Sequence, residues 1–265
     1  MCSGTDSYPK GELTMKYMLD DLLLTASTVK FHYIRSEPTL SEITVYAADV
    51  IDKTLFLNAH LPLIPDLVNV GPFVMGGEPK LLEFIRKQIV NGDGDLSISP
   101  GNDSLVLTQS GLVSKYYKFL GPMMAPKCSL KSTPRWSHLL TISPNSPALT
   151  AIVRTMSLMK SFCHNQFYIK VADGFLIIEL LAKFGCAANG LGDTGSIFRL
   201  CHTGLPDHPP IMYPINKFLE VVKASRNDNI MVSISPTTRL MQCSFSRNVA
   251  GDIVTYDFLF PGQPA

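Results

Sequence analysis

The sequence predicts an α+β protein made of two copies of one domain, each with antiparallel sheets and two helices on one face. Three observations predict it. The first is an internal repeat: Leu13-Thr14 recurs as Leu149-Thr150, Phe31 as Phe167, and Ser97-Ile98-Ser99-Pro100 as Ser233-Ile234-Ser235-Pro236, each 136 positions on. At a shift of 137, residues 81–86 pair with 218–223, with apolar, acidic and basic types in the same order. A period this long marks a duplicated domain rather than a solenoid. The second is the order of patterns, which in both halves runs helix, strands, helix, strands. The third is size: 265 residues, 46% hydrophobic and only 17% charged, suit a core-forming chain of one or two domains at ~100–200 residues each.

The elements follow in order. A helical pattern covers 13–27, and strands are predicted at 29–34, 43–47 and 53–57. A second helix spans 79–90 with Pro79 at its start, where a missing N–H costs nothing. Strands at 95–99, 105–109 and 115–120 close the first domain, residues 1–120. Residues 121–135 concentrate Pro, Gly and Ser without periodicity and read as an interdomain linker. The second domain, 136–265, repeats the scheme. Ser146 is an N-cap candidate before Pro147, and its helix runs to 163. Strands follow at 166–171, 175–181 and 196–201, then a helix at 214–226 and strands at 230–235, 240–245 and 253–260. Trp136 is read as a packing residue.

The charge is distributed unevenly. The whole chain carries a formal +1, which excludes a broadly basic coat and an acidic tail. The four helix windows nevertheless hold nine cations (Lys16, Lys80, Arg86, Lys87, Arg154, Lys160, Lys217, Lys223, Arg226) against four acids (Asp20, Asp21, Glu83, Glu220). The remainder holds 14 cations and 18 acids. At ~100° per residue, Leu81, Leu82, Phe84, Ile85, Gln88 and Ile89 share one arc, and Lys80, Arg86 and Lys87 lie beyond it. The later helix repeats this, with Lys217 and Lys223 off the stripe. Amphipathic helices ordinarily have charged outer faces, but four helices biased to one sign on an acidic remainder fit a phosphate-facing surface that binds without reading sequence.

Signatures of enzymatic sites fail on inspection. Residues 190–195, Gly-Leu-Gly-Asp-Thr-Gly, satisfy G-x-G-x-x-G, yet the segment after them is strand-like and a dinucleotide site needs a helix N-terminus there. Asn91, Asp93 and Asp95 imitate the first positions of a calcium loop, but Leu96 replaces its glycine and Asn102 its final glutamate. Cys201, His202, Asp207 and His208 match no zinc spacing, and the six scattered cysteines suggest reduced thiols. No catalytic residue, cofactor or metal is expected. The start of the chain lacks a signal-peptide pattern, which reads as cytoplasmic, in a host cell if the source is viral.

Residues 94–127, 146–179 and 214–235, with the order of elements, resemble the two-domain PCNA-like sliding clamps that act as DNA-polymerase processivity factors, and are nearest to those of tailed bacteriophages. The resemblance implies a non-enzymatic homotrimer around duplex DNA, a clamp loader that places it there and a replicative polymerase tethered to it. By position, Lys80, Arg86, Lys87, Arg154, Lys217 and Lys223 would face DNA, with Lys16, Lys160 and Arg226 as further candidates, whereas Asp20-Asp21 departs from a basic lining. It also implies that partner peptides dock at Met123, Met124, Leu259, Phe260 and Pro261, and that residues 113–119 of one subunit meet an edge near 175–184 of the next. The alternative is a duplicated β-rich viral structural or assembly protein that does not bind DNA.

Overall fold

The computed structural model describes residues 10–48, 54–92, 96–101, 104–109, 115–118, 134–161, 165–182, 194–202 and 204–264. The linker segment 121–133, the loop 93–95 and most of the glycine-rich segment 190–195 lie outside these. The elements are α1 (Lys10–Thr28), β1 (Tyr33–Pro38), β2 (Ile43–Ala48), β3 (Phe56–Leu61), α2 (Pro65–Val70), β4 (Phe73–Gly76), α3 (Pro79–Val90), β5 (Leu96–Pro100), β6 (Ser104–Gln109) and β7 (Lys115–Lys118). They continue with β8 (Ser137–Ile142), α4 (Pro147–Ser161), β9 (Gln166–Ala172), β10 (Phe175–Ala182), β11 (Thr194–His202), β12 (His208–Pro214), α5 (Ile215–Ser225), β13 (Ile230–Ser235), β14 (Leu240–Val249), β15 (Asp252–Pro261) and β16 (Gln263–Pro264).

The chain forms two compact units. The first holds α1 through β7, apart from the short stretch ending at Phe56, together with Ser246–Tyr256, the tip of the β14–β15 hairpin, and the second holds that stretch and the rest of the second half. Strand order repeats between them: β4-β1-β2-β3 in the first unit corresponds to β12-β9-β10-β11 in the second, and β5-β6-β7 to β13-β14-β15. All described pairings are antiparallel. The 136-residue repeat therefore falls on matching elements, α1 with α4, α3 with α5 and β5 with β13. An α+β fold with few helices on antiparallel sheets is what the sequence predicts.

Each unit closes its core by alternation. In β9, Phe167, Ile169 and Val171 point inward and their neighbours do not, the period-two pattern of a half-buried strand. Phe167 meets Tyr213 (ring centroids 5.9 Å apart) and Phe218 (5.3 Å), and Phe218 meets Phe260 (6.5 Å), so one aromatic cluster ties β9, β12, α5 and β15. In the first unit α1 packs on α3, which turns Leu82, Ile85 and Ile89 inward. Phe84, expected on that buried arc, is 52% exposed, because it sits two positions from Leu82 and so on the opposite side of the helix.

Other differences have local causes. Strand β1 starts at Tyr33 rather than 29, because Val29 and Phe31 still donate to carbonyls of α1 (3.2 and 3.0 Å) and Lys30 takes a left-handed conformation (φ 60°) before the chain can extend. Strand β12 was not expected, since prolines cannot donate to a ladder. Pro209 and Pro210 sit where its register with β9 shifts between His208 and Ile211, a bulge that tolerates them. Trp136 is 37% exposed rather than packed inside. At the end of β4, Gly76 has φ 126° and a Cβ there would fall 2.3 Å from the His32 carbonyl oxygen. Only glycine fits.

Candidate nucleic-acid interface

From Met15 onward, helix α1 exposes little of itself. Met15, Met18, Leu19, Leu22, Leu23 and Ala26 are buried, and its outward stripe is Lys16, Tyr17, Asp20, Leu24 and Ser27. The Lys16 ammonium donates to the Gly92 carbonyl (2.7 Å), just past the C-terminus of α3. The buried Gln109 amide donates to the Ile89 carbonyl (3.0 Å) and to the same Gly92 oxygen (3.4 Å). A cation and an amide thus cap the negative end of the α3 dipole. Asp20 is bound by the Arg86 guanidinium (2.7 Å). Asp21, 5% exposed, accepts from Arg247 Nη1 (2.8 Å) and from the Tyr256 hydroxyl (2.6 Å). Burial, and then the Asp21 carboxylate beside it, push the Tyr256 phenol well above its ordinary range.

Lys16 and Arg86, both expected among the DNA-facing cations, are thus engaged within the first unit, by a backbone carbonyl and by a carboxylate. On α3, Lys87 pairs with Glu83 one turn away (2.8 Å), and the hydrogen bond from Lys87 holds the Glu83 carboxyl below its usual range. Lys80 is exposed.

The second unit differs. Helix α4 turns Leu149, Ile152 and Met156 inward and leaves Arg154 and Lys160 exposed. Arg154 is five positions from Leu149 and so lies across the helix from the buried stripe. The helix carries no acidic residue. On α5, which packs on α4, Lys217 pairs with Glu220 (3.3 Å) in a mostly buried position, while Lys223 is exposed. Arg226, exposed at the C-cap, has φ 56° and ψ −106°, and its N–H reaches the Lys223 carbonyl (3.3 Å).

The expected peptide pocket is rearranged. Leu259 (4% exposed) and Phe260 (0%) belong to the core, because they alternate with Phe258 in a strand covered on both faces; Pro261 is half-buried, and Met123 and Met124 lie outside the described residues. A nearby groove of about 170 Å³ is lined by His208, Pro210, Ile211, Pro236, Arg239 and Pro264. The His208 ring bonds the Pro209 carbonyl through Nδ1 (2.9 Å), which makes Nδ1 the donor, and its buried Nε2 has no partner among the described residues. The expected subunit edge also moves. Strand β10 lies between β9 and β11, so the open edge of that sheet is β11, with Ile197 65% exposed, and β7 is an edge of its own sheet.

Sequence reasoning did not find the partners of Asp21, since Arg247 and Tyr256 are 226 and 235 positions away and form no motif with it. The one available signal was a double acid, Asp20-Asp21, set within the apolar run from Met18 to Leu24.

No family model matches the sequence, and no curated protein matches it. Solved structures do. A. fulgidus PCNA, bound to the C-terminal region of FEN-1, matches with a TM-score of 0.61 at 12% identity, over 93% of this chain and 96% of that one. The proliferating cellular nuclear antigen of Entamoeba histolytica matches at 0.60 and 10% identity, over 94% and 96%. The H. pylori beta clamp matches at 0.62 and 14% identity, over 94% of this chain and 62% of that one. The chain has the sliding-clamp fold over nearly its whole length.

Proposed function

We propose that this protein is a non-enzymatic sliding clamp that encircles duplex DNA as a homotrimer and tethers a replicative polymerase after a loader has placed it there. The observation that carries the reading is the duplicated unit, with a pair of amphipathic, cation-bearing helices in each copy, in a chain that shares its fold with clamps over more than nine-tenths of its length. Stoichiometry follows length: the chain covers 96% of the PCNA neighbours above but 62% of the beta clamp chain, which favours the two-domain, three-subunit arrangement. The open edges β7 and β11 supply strands for joining one copy to the next, which would also hide edges prone to aggregation.

A partner peptide fits the groove around His208 and Arg239 better than the interior side chains of Leu259 and Phe260. The neighbour bound to a FEN-1 C-terminal region offers the analogy. Light scattering on the purified protein should give a mass near three times 29.1 kDa, and addition to its cognate polymerase should lengthen primer-extension products. A monomer at micromolar concentration, with unchanged product length, would remove the reading.

A further inference from the structure

We infer that the two units grip duplex DNA unequally: the phosphates are held by the α4–α5 face through Arg154, Lys160 and Lys223, while the α1–α3 face contributes little. The inference rests on the DNA-encircling reading above. A duplicated fold by itself would predict equal halves, so the asymmetry must come from side chains.

Helix α1 carries Glu12, Asp20 and Asp21 against Lys10 and Lys16, and α4 carries two cations and no acid. Of the described cations on the first unit's helices, Lys16 is fixed on the Gly92 carbonyl, Arg86 on Asp20 and Lys87 on Glu83. Among the described residues there, only Lys80 stands exposed with no carboxylate partner. The outward stripe of α1 presents Lys16 already bonded to a backbone carbonyl, the Tyr17 and Ser27 hydroxyls, the ion-paired Asp20 carboxylate and Leu24, and so offers phosphate neutral donors but no unengaged cation. In the second unit the single acid of α5 is paired with Lys217. Arg154, Lys160 and Lys223 are exposed, with no carboxylate partner among the described residues.

The energetic difference follows from counterion release. An unpaired Lys or Arg that meets a phosphate frees a condensed cation from the duplex, which is the main source of sequence-independent affinity. A cation already paired must exchange its carboxylate for the phosphate. The abandoned carboxylate then repels the same backbone. Asp20 would be left this way if Arg86 swung to DNA, and Glu83 if Lys87 did.

The test is the salt dependence of binding by the full-length protein to a labelled duplex of mixed sequence, read by fluorescence anisotropy from about 50 to about 200 mM salt. Replacing Arg154, Lys160 and Lys223 together by Ala should lower the slope of log K against log salt by about 2 to 3 and weaken binding at least tenfold at the low-salt end. Replacing Lys80 and Lys87 together by Ala should lower the slope by less than about 1. All five side chains are exposed, so the thermal midpoint should stay unchanged in both variants. Equal losses, or a larger loss from Lys80 and Lys87, overturn the asymmetry and leave the clamp reading standing. A parent protein with no salt-dependent binding overturns both.

Discussion

Asp21 is the most constrained charge among the described residues. Its carboxylate is buried on α1, and the Arg247 guanidinium and the Tyr256 hydroxyl reach it from a hairpin tip more than 220 positions along the chain. Replacement by Asn keeps the shape but leaves a mostly buried guanidinium without its counter-charge. Asp21→Asn should therefore lower unfolding stability by about 3 kcal/mol, read by urea titration. A loss under about 0.5 kcal/mol, the range of ordinary surface changes, would mean the network is solvated. The neighbouring phenol gives a second expectation. Tyr256, Tyr213 and the Cys243 thiol are all pushed up, chiefly by burial. A group whose folded value lies above its unfolded one contributes stability that is present below the unfolded value and lost as pH rises. Here the unfolded chain releases protons first, near pH ~8.5 for thiol and ~10 for phenol. Thermal midpoints should fall from about pH 9 upward, and Tyr256→Phe should flatten the part of that fall above pH ~10.

At the scale of elements, the C-terminus of α5 carries visible strain. Arg226 adopts a positive φ with ψ near −106°, a combination that side chains rarely take. Arg226→Gly should raise stability by about 1 kcal/mol, measured by thermal melting. If stability falls instead, the side chain's own contacts outweigh the backbone term. How far the elements could be read from sequence varies for the same kind of reason. Helix α3 was legible from end to end, because a proline fixes its start and the apolar spacing its inner face. Strand β12 was not, because two adjacent prolines argue against a strand unless a bulge is known to be there. The basic helices were legible as a surplus of charge. Which cations are engaged was not: Lys16 reaches a backbone carbonyl 76 positions away and Arg86 an acid 66 away, and neither distance has a local signature. Leu259 and Phe260 misled because an aromatic-rich strand near the C-terminus looks the same whether its side chains fill a core or a pocket.

For the molecule as a whole, the proposed trimer gives the open edge of β11 a role in joining copies. Ile197 is 65% exposed on that edge, an apolar side chain with no cover in a single chain. Charged residues on edge strands block pairing. Ile197→Lys should shift the mass in light scattering from that of the proposed trimer to 29.1 kDa while the circular-dichroism spectrum stays the same. A variant that still assembles would place the joint on another surface.

Ser246–Tyr256 has one more consequence, for synthesis on the ribosome. This stretch belongs to the first unit although it lies more than 200 positions beyond α1. The first unit therefore cannot complete itself before residue 256 has been made. Until then Asp21 lacks both of its partners. A message truncated before codon 247 would yield a product lacking this guanidinium and phenol, so the first unit should complete its core only after most of the second has been made.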